Sequence, residues 1–400
     1  MRNIRPSSIG QLLRRPRRLH PLHSTSTGRA TSASRLLVPL PLPLLGVATL
    51  RRQFHAEAFL LPPLYFTGLL VALWTWKCLM MIVFQNKIIY MPGLPPNARR
   101  ERIEDYTKKC WGVKWQEERV QAADGTDLAL CVASVTATGD EKTTSLDASV
   151  AVPEIYILYF QGNASSIPPR LQDLSWVLYT LQRSERPARY TLVCLSYRGY
   201  WTSRGRPSEK GINLDAQAAL GWIGRLHQDR VGHRLHQQKH QSLPVPALVL
   251  WGQSIGCGVA TNLAAWEGFP PTLPLRSLIL ETPFTSIRDM LSEMYPQKWV
   301  PYRHLWPFLR NHLDSLANIS VIARHHAEGG REKPKVTIVE AGKDELVPAD
   351  HGEKLIRRCE DVGLEAEKRT VRSAFHNSAV VLLEGRKAVA DAIEQVRARI

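Results

Sequence analysis

The chain has 400 residues, of which 44% are hydrophobic, and this excludes a wholly disordered protein because one or two packed cores can form. The formal net charge of +16 points to a polyanionic partner, but residues 1–56 hold ten arginines and no acidic residue, so the rest carries only +6. We therefore predict no nucleic-acid partner. The six cysteines form no C-x-x-C pair and no Cys/His cluster at metal spacing, so we predict no metal, no disulfide scaffold and no cofactor.

Residues 1–58 are predicted to be a basic tail rich in Ser, Arg and Pro. The first 35 residues lack the apolar surface that would offset the entropy lost on ordering. Their composition is also typical of a mitochondrial transit peptide, in which arginines on one helical face are drawn to an anionic membrane. The apolar run at residues 36–50 is short, and its three prolines exclude a regular helix.

Residues 59–84 are predicted to form a single membrane anchor. The stretch is apolar with one charged residue, Lys77, and its prolines, Pro62 and Pro63, lie near its start. At about 1.5 Å per residue, a helix of this length exceeds a hydrocarbon core of about 30 Å. A buried core helix is the alternative, because an internal lysine opposes membrane insertion unless its side chain reaches the interface.

After the anchor, residues 85–112 are polar and Pro-rich and are predicted to be a juxtamembrane linker. From residue 113 to 400, strands alternate with helical segments, which is typical of a mostly parallel sheet covered by helices on both faces. The predicted strands are Trp115–Gln121, Leu128–Val135, Ile155–Phe160, Tyr190–Ser196, Ala247–Gly252, Ser277–Glu281, Val336–Ala341 and Ala366–Val371. The predicted helices are Ile212–Leu226, Ile255–Trp266, Ala349–Val362 and Arg386–Arg399.

Three segments interrupt this alternation. Residues 136–152 and 227–246 are predicted to be surface loops. The second holds four histidines, but His236 and His240 have no carboxylate or cysteine partner at ligand spacing, so we predict a solvated loop rather than a metal site. Residues 282–334 form a longer insertion rich in apolar and aromatic side chains, and we expect it to cover the functional site.

A nucleophile motif follows the strand Ala247–Gly252. The sequence Gly252-Gln253-Ser254-Ile255-Gly256 matches G-x-S-x-G and leads directly into an apolar helix. In this context a tight turn lifts the serine hydroxyl above the sheet, and the glycines remove steric clashes. The spacing alone is weak evidence, since a glycine-rich turn before a helix also produces it, and the strand–turn–helix context carries the interpretation. We therefore predict Ser254 as the nucleophile.

A serine nucleophile needs a histidine base, which a carboxylate orients. In this arrangement the acid follows a later strand and the histidine follows the last strand. Asp344 and His376 occupy these positions, so we predict them as acid and base. The competing acids are Glu281, Glu345 and Asp350, and the competing base is His351.

The oxyanion that develops during acyl transfer needs hydrogen-bond donors. The N–H of Ile255, directly after the nucleophile, is the first candidate. The second is expected from the loop after Ile155–Phe160, where Gly162 permits a close turn and Asn163 offers its N–H, with Ala164 next. The sequence therefore predicts an oxyanion hole at Gly162, Asn163 and Ile255.

Seven segments occur together in the order found in one family. They are FQNKIIYMP after the anchor, YFQGNA (159–164), SYRGYWTSRGRPSEKGINLDAQAAL (196–220), WGQSIGCGVA (251–260), LILETPFTSIRDM (278–290), GKDELVP (342–348) and FHN (375–377). Through them, residues from about 80 to 400 resemble the membrane-anchored bud-emergence branch of the α/β-hydrolase superfamily, whose animal relatives include protein depalmitoylases and lipid hydrolases. The resemblance implies the α/β-hydrolase fold, the triad Ser254, Asp344 and His376, and an oxyanion loop at Gly162-Asn163.

The resemblance also implies that Arg198, Gly199 and Asp215 brace the loop after the strand Tyr190–Ser196. Three positions differ from the family pattern: a His is replaced by Gln161, a Gly by Trp201 and an Asp by Ser378. None of the three is a triad residue. The first two are expected to alter the acyl pocket.

Together these features predict a membrane-anchored serine hydrolase that cleaves an acyl ester or thioester of a lipid or a lipidated protein. An anchor holds the active site near such substrates and raises their effective concentration. The alternative is a catalytically idle membrane scaffold of the same fold that binds partner proteins. A complete triad with its oxyanion loop favours the enzyme.

The charges that flank the anchor indicate its orientation. The acid-free arginine tail favours a cytoplasmic N-terminal side, whereas Lys87 and three arginines at residues 99–102 favour the opposite orientation. We favour a hydrolase domain in the lumen of the endoplasmic reticulum or secretory pathway, with a cytosolic domain and a mitochondrial membrane as alternatives. In the lumen, Asn318 of the sequon Asn-Ile-Ser is a candidate glycosylation site.

Overall fold

A computed structural model describes residues 56–138, 152–237 and 246–400. Within these ranges it describes the side chains of all residues except 56–58 and 234–237. Nearly all of the predicted tail, most of the predicted loop 136–152 and residues 238–245 lie outside the described residues. The chain divides into two units after Leu60. All tertiary contacts discussed below lie within residues 61–400.

Eight strands of the described residues form one sheet. They are β1 (Gln116–Gln121), β2 (Asp127–Ala137), β3 (Glu154–Phe160), β4 (Ala188–Ser196), β5 (Ala247–Gln253), β6 (Leu275–Glu281), β7 (Lys335–Ala341) and β8 (Ala366–Val371). Their order across the sheet is β1-β2-β4-β3-β5-β6-β7-β8; β2 is antiparallel to both of its neighbours, and all other pairs are parallel. All eight predicted strands are present, and this topology confirms the α/β-hydrolase fold.

The helices of the described residues are α1 (Ala56–Val83), α2 (Gln85–Tyr90), α3 (Leu171–Gln182), α4 (Glu209–Gln237), α5 (Ile255–Ala264), α6 (Ile287–Met294), α7 (Ser315–Glu328), α8 (Asp350–Asp361) and α9 (Leu383–Ala398). On one face of the sheet α3 packs against α9, and on the other face α4, α5, α7 and α8 pack side by side. Because helices cover both faces, every residue of the central strands β3 and β5 is buried, whereas the edge strand β8 keeps Lys368 and Arg369 exposed.

The histidine-rich segment differs from its prediction. Helix α4 continues to Gln237, so the first part of the predicted loop 227–246 is helical. The ring of His227 packs edge-on against Tyr156 with centroids 5.8 Å apart, and a hydrogen bond of 3.3 Å joins its Nδ1 to the Tyr156 hydroxyl. A solvated loop was the wrong prediction here because no proline interrupts the chain between residues 209 and 237. His240 lies outside the described residues.

Residues 85–112 belong to the folded domain and are not a separate linker. Tyr90 is fully buried in the core on the α5 face of the sheet, and Ile103 and Cys110 are buried in the core on the α3 face. These widely spaced apolar side chains lack a helix or strand period, so no periodic signal predicted their burial.

The insertion at residues 282–334 also differs from its predicted extent. Helix α7 packs against α5 and α8 and is therefore part of the helical layer over the sheet. The part that lies over the carboxyl ends of the strands, which we call the cap, is residues 282–314. It contains α6 and two short 3-10 turns, Pro301–His304 and Trp306–Phe308.

Candidate active site

Ser254 occupies the turn between β5 and α5 with a φ of +51°. A residue other than glycine is strained in this region, so the surrounding structure must hold it. The N–H of Ser254 donates to the carbonyl of Glu281 over 2.8 Å, and its carbonyl accepts from the N–H of Cys257 over 2.9 Å. The turn therefore fixes the serine at the carboxyl end of the sheet.

The two glycines of the motif are required by close backbone contacts. A Cβ atom on Gly256 would lie 2.2 Å from the carbonyl oxygen of Phe160, the last residue of β3. A Cβ atom on Gly252 would lie 2.3 Å from the carbonyl oxygen of Gly256. The glycines thus let α5 approach the end of β3, which carries the predicted oxyanion loop.

The predicted triad residues meet in the folded chain. Nε2 of His376 lies 2.9 Å from Oγ of Ser254, and Nδ1 of His376 lies 2.8 and 3.0 Å from the two carboxylate oxygens of Asp344. All three distances are within hydrogen-bonding range. This geometry allows Asp344 to accept a hydrogen bond from Nδ1 of His376 while Nε2 faces the serine hydroxyl, which is the arrangement that a Ser-His-Asp triad requires.

The surroundings of Asp344 favour its ionised form. Burial opposes the charge, but hydrogen bonds from His376 and from the N–H groups of Leu346 and Val347 outweigh it, so the pKa of Asp344 lies below its usual value. The neighbouring Glu345 accepts a hydrogen bond from the backbone N–H of His376 over 3.0 Å, which holds the histidine loop against the acid loop.

The competing candidates have other partners. The carboxylate of Glu281 receives two hydrogen bonds from Arg170, at 3.0 and 3.3 Å, and burial raises its pKa. Asp350 pairs with Lys354 over 2.6 Å at the surface of α8. His351 directs its Nδ1 to the hydroxyl and N–H of Thr285. Of these described side chains, none hydrogen-bonds to the side chain of Ser254 or His376.

The predicted oxyanion donors lie beside the nucleophile. Asn163 and Ile255 line the same cavity as Ser254 and His376. Helix α5 begins at Ile255, and the N–H groups of the first turn of a helix attract negative charge. The reserve candidate, Ala164, is already occupied because its N–H donates to the carbonyl of Tyr90 over 3.0 Å. Gly162 packs against Gln253 and positions Asn163.

The segment after α1 supports this loop, a role that we did not predict. Ala164 and Ser165 have φ values of +57° and +61°, and their N–H groups donate to the carbonyls of Tyr90 and Leu94. The Tyr90 carbonyl also accepts from the hydroxyl of Tyr200. The only sequence signal for this role was the family motif FQNKIIYMP, which gives no mechanism by itself.

An apolar cavity of about 350 Å³ opens onto Ser254 and His376. One wall comes from α1 and α2 and the facing wall from the cap. The wall residues are Met81, Ile82, Ile88 and Ile89 on the first side and Phe284, Ile287, Met290, Leu291, Leu305 and Leu309 on the second. Such a lining is chemically suited to an alkyl chain and has few groups for a charged ligand.

The three positions that depart from the family pattern are not among the residues that line this cavity. Gln161 and Trp201 do not line it, so the expectation that they alter the acyl pocket stays a prediction. Trp201 has a φ of +38° in place of a family glycine, and its indole N–H donates to the carbonyl of Glu101 over 2.7 Å. The hydroxyl of Ser378 accepts a hydrogen bond from the N–H of Phe375 over 2.8 Å.

The loop after β4 is braced as the resemblance implied. Arg198 donates from its backbone N–H and its guanidinium to the carboxylate of Asp215 over 2.7 to 2.9 Å, and to Asp124 over 2.7 Å. Gly199 has a φ of +84°, and a Cβ atom there would lie 2.9 Å from Pro207. These contacts stabilise the loop that contacts Tyr90 through Tyr200.

None of the family models compared with the sequence matches it. Lysophosphatidylserine lipase ABHD12 of Danio rerio is 35% identical over 50% of this chain and 46% of its own length. Protein bem46 of Schizosaccharomyces pombe is 27% identical over 53% of this chain and 58% of its own length. The esterase Pf2001 of Pyrococcus furiosus superposes with a TM-score of 0.46 at 14% identity, covering 73% of this chain and 93% of the esterase. The chain spans about half the length of the curated relatives it matches.

Proposed function

We propose that this chain, which is similar to lysophosphatidylserine lipase ABHD12 and to protein bem46, is a membrane-anchored serine hydrolase of the bud-emergence branch of the α/β-hydrolase superfamily and cleaves an acyl ester or thioester. The observation that carries the proposal is the continuous contact from Asp344 through His376 to Ser254 at the floor of an apolar cavity. An idle scaffold has no need of this arrangement together with the backbone N–H groups of Asn163 and Ile255 at the same cavity.

The reaction proceeds in two halves. Oγ of Ser254 attacks the carbonyl carbon of the acyl group while Nε2 of His376 takes the hydroxyl proton, and the oxyanion is stabilised by the N–H groups of Asn163 and Ile255. The C–O or C–S bond then breaks, and His376 returns the proton to the leaving alcohol or thiol. In the second half, His376 deprotonates a water molecule that attacks the acyl-serine, and it then returns that proton to Oγ of Ser254 as the carboxylic acid leaves.

The substrate class follows from the cavity and the anchor. The apolar walls fit a long acyl chain, and a lipid or a lipidated protein supplies one at the membrane surface. The name of the Danio rerio relative, a lysophosphatidylserine lipase, makes a single-chain phospholipid the first substrate to test. A palmitoylated peptide thioester is the second.

The anchor is the helix α1. Residues 59–83 are long and apolar enough to cross a membrane, and no acidic residue interrupts them. The proposed location is the endoplasmic reticulum or secretory pathway, with a mitochondrial membrane as the alternative. Asn318 is a poor reporter of a luminal domain, because its side-chain amide donates to Thr261 and Asn262 over 3.3 and 2.6 Å and a glycan would break both bonds. Protease protection of the domain in intact microsomes tests this orientation directly.

A fluorophosphonate probe tests the proposed chemistry. We expect it to label the wild-type chain in detergent and to leave Ser254→Ala unlabelled, because the probe reacts only with an activated serine. The control is a circular dichroism spectrum of Ser254→Ala that matches the wild type, which shows that the variant is folded. A wild-type chain that folds but takes no label would overturn the hydrolase assignment and leave the scaffold. Release of fatty acid from a lysophospholipid, compared with release from a palmitoyl thioester, then distinguishes the two substrates.

A further inference from the structure

The cap contacts the anchor helix well before the helix ends. The rings of Trp74 and Trp299 lie 5.7 Å apart, and Nζ of Lys77 lies 4.0 Å from the ring centre of Tyr302 and 5.7 Å from that of Tyr295. One turn further on, Met81 lines the acyl cavity. The anchor is therefore a wall of the pocket as well as a tether.

These contacts fix the depth of the cap if α1 crosses a bilayer. From Trp74 to Val83 the helix rises about 13 Å at 1.5 Å per residue. If the hydrocarbon ended before Trp74, only residues 59–73 would remain inside it, about 22 Å of helix, whereas a hydrocarbon core is about 30 Å thick. The membrane-spanning length is therefore sufficient only if Trp74 and the cap residues beside it lie within the leaflet.

The surface of the cap fits this position. Trp299 is 69% exposed, Met294 63% and Phe308 56%, and Ile88 of α2 is 48% exposed at the same cavity. Met294, Phe308 and Ile88 also line the cavity, so exposed apolar side chains surround its opening. In water this would be an unfavourable apolar surface, whereas in a leaflet it replaces lipid contacts.

Lys77 has a partner at this depth. A lysine facing hydrocarbon is costly, and we expected it to reach the interface along its own side chain. Its ammonium group instead lies over the face of Tyr302, an interaction that strengthens as water is removed. The single charge of the anchor thus becomes a contact that holds the cap against it.

We infer that the cap is embedded in the leaflet on the C-terminal side of the anchor, so that the pocket opens into lipid hydrocarbon and acyl chains enter it laterally. The inference rests on the proposed function for the substrate and for the spanning helix. A bilayer of ordinary phospholipid is the partner. The acyl chains of the bilayer then lie against the apolar opening of the cavity. A substrate lipid therefore need not pass through water to bring its ester bond to Ser254.

Site-directed spin labelling measures the depth of the cap without any need for activity. One nitroxide is placed at Trp299→Cys. A matched nitroxide is placed at Glu267→Cys, an exposed position between α5 and β6, at the amino ends of the parallel strands and so opposite the cap. Both are made in the full chain with Cys78→Ala, since the other five cysteines are buried, and reconstituted in phosphatidylcholine vesicles. Oxygen partitions into lipid, so we expect it to relax the nitroxide at position 299 more than a water-soluble nickel chelate does. At position 267 we expect the chelate to relax the nitroxide more than oxygen does. If the chelate reaches both positions equally, the cap lies in water and the inference fails.

A kinetic arm tests the role of Lys77. Lys77→Leu should lower hydrolysis of a long-chain ester in vesicles by about two- to tenfold, as expected for loss of one cation–π contact, and leave p-nitrophenyl acetate hydrolysis unchanged. The matched control is Lys87→Leu, because Lys87 lies over Phe84 and not over the cap. Equal loss on both substrates, or no loss on either, would contradict the inference. Failure of fluorophosphonate labelling in the wild type would instead refute the hydrolase function and leave the depth measurement valid.

Discussion

The catalytic side and the acyl-binding side of the site are built in different ways. Ser254, Asp344 and His376 each follow a strand of one sheet, so the parallel order of the strands delivers all three to the same edge. The acyl wall joins residues 81–89 to residues 284–309, which come from two separate parts of the chain and meet through side-chain packing and through a hydrogen bond of 3.1 Å from the Gln85 side chain to the Phe308 carbonyl. The proposed chemistry is therefore tied to local turns, and the proposed acyl binding to long-range contacts.

The largest expected effect comes from removing a member of the triad. Ser254→Ala, His376→Ala and Asp344→Asn should each lower kcat for ester hydrolysis by about four orders of magnitude or more, because the three residues act as one unit. Combining Ser254→Ala with His376→Ala should cost little beyond either single change. Near-wild-type turnover by Asp344→Asn would transfer the role of acid to another carboxylate.

A second test concerns the fit of α5 against β3. Gly256→Ala places a methyl group against the Phe160 carbonyl, where only the backbone can move, so we expect a loss of about 1–3 kcal/mol in unfolding free energy and a loss of probe labelling. Gly232→Ala on α4 is the control, because nothing lies within 4 Å of its Cβ position and it should gain about 0.5–1 kcal/mol. A Gly256→Ala chain with wild-type thermal stability would contradict the close contact.

A third change separates the acyl wall from the triad. Ile82→Ala shortens a side chain that lines the cavity and should lower kcat/KM for a palmitoyl ester by about fivefold or more, since each lost methylene contact is worth about 0.8 kcal/mol. Acetyl ester hydrolysis should stay unchanged. Val83→Ala, at the next and exposed position, is the matched control. Parallel losses on both esters would show that α1 supports the fold and not the acyl chain.

The smallest expected effect is on the pH dependence of stability. Because the pKa of Asp344 is lower in the folded chain than its usual value, its hydrogen bonds stabilise the fold at neutral pH, and this contribution is lost as the pH falls through the lowered pKa. Asp344→Asn cannot ionise, so its deficit in unfolding free energy should shrink on acidification. Urea denaturation at pH 7 and at pH 3 measures the difference, and a deficit independent of pH would contradict the assignment.

Most of the fold could be predicted from the sequence because the strands carry their own signal. Continuous apolar runs such as those of β3 and β5 are buried on both faces, and their boundaries agree with the prediction within one or two residues. Helix α3, by contrast, was not predicted, although its buried side chains Leu174, Val177, Leu178 and Leu181 follow a helical period. We assigned α7 to the insertion at residues 282–334, and not to the helical layer over the sheet, because the aromatic content of that stretch suggested a single element.

Local sequence determined the candidate triad, since a strained turn needs particular glycines and the chain order of serine, acid and histidine follows from parallel strands. Only the tertiary structure decided that α1 and α2 form a wall of the acyl cavity, that Tyr90 holds the oxyanion loop, and that Lys77 lies over Tyr302. The physical reason is that apolar and cation–π contacts accept many partners. Which partner they meet depends on where the rest of the chain has placed it.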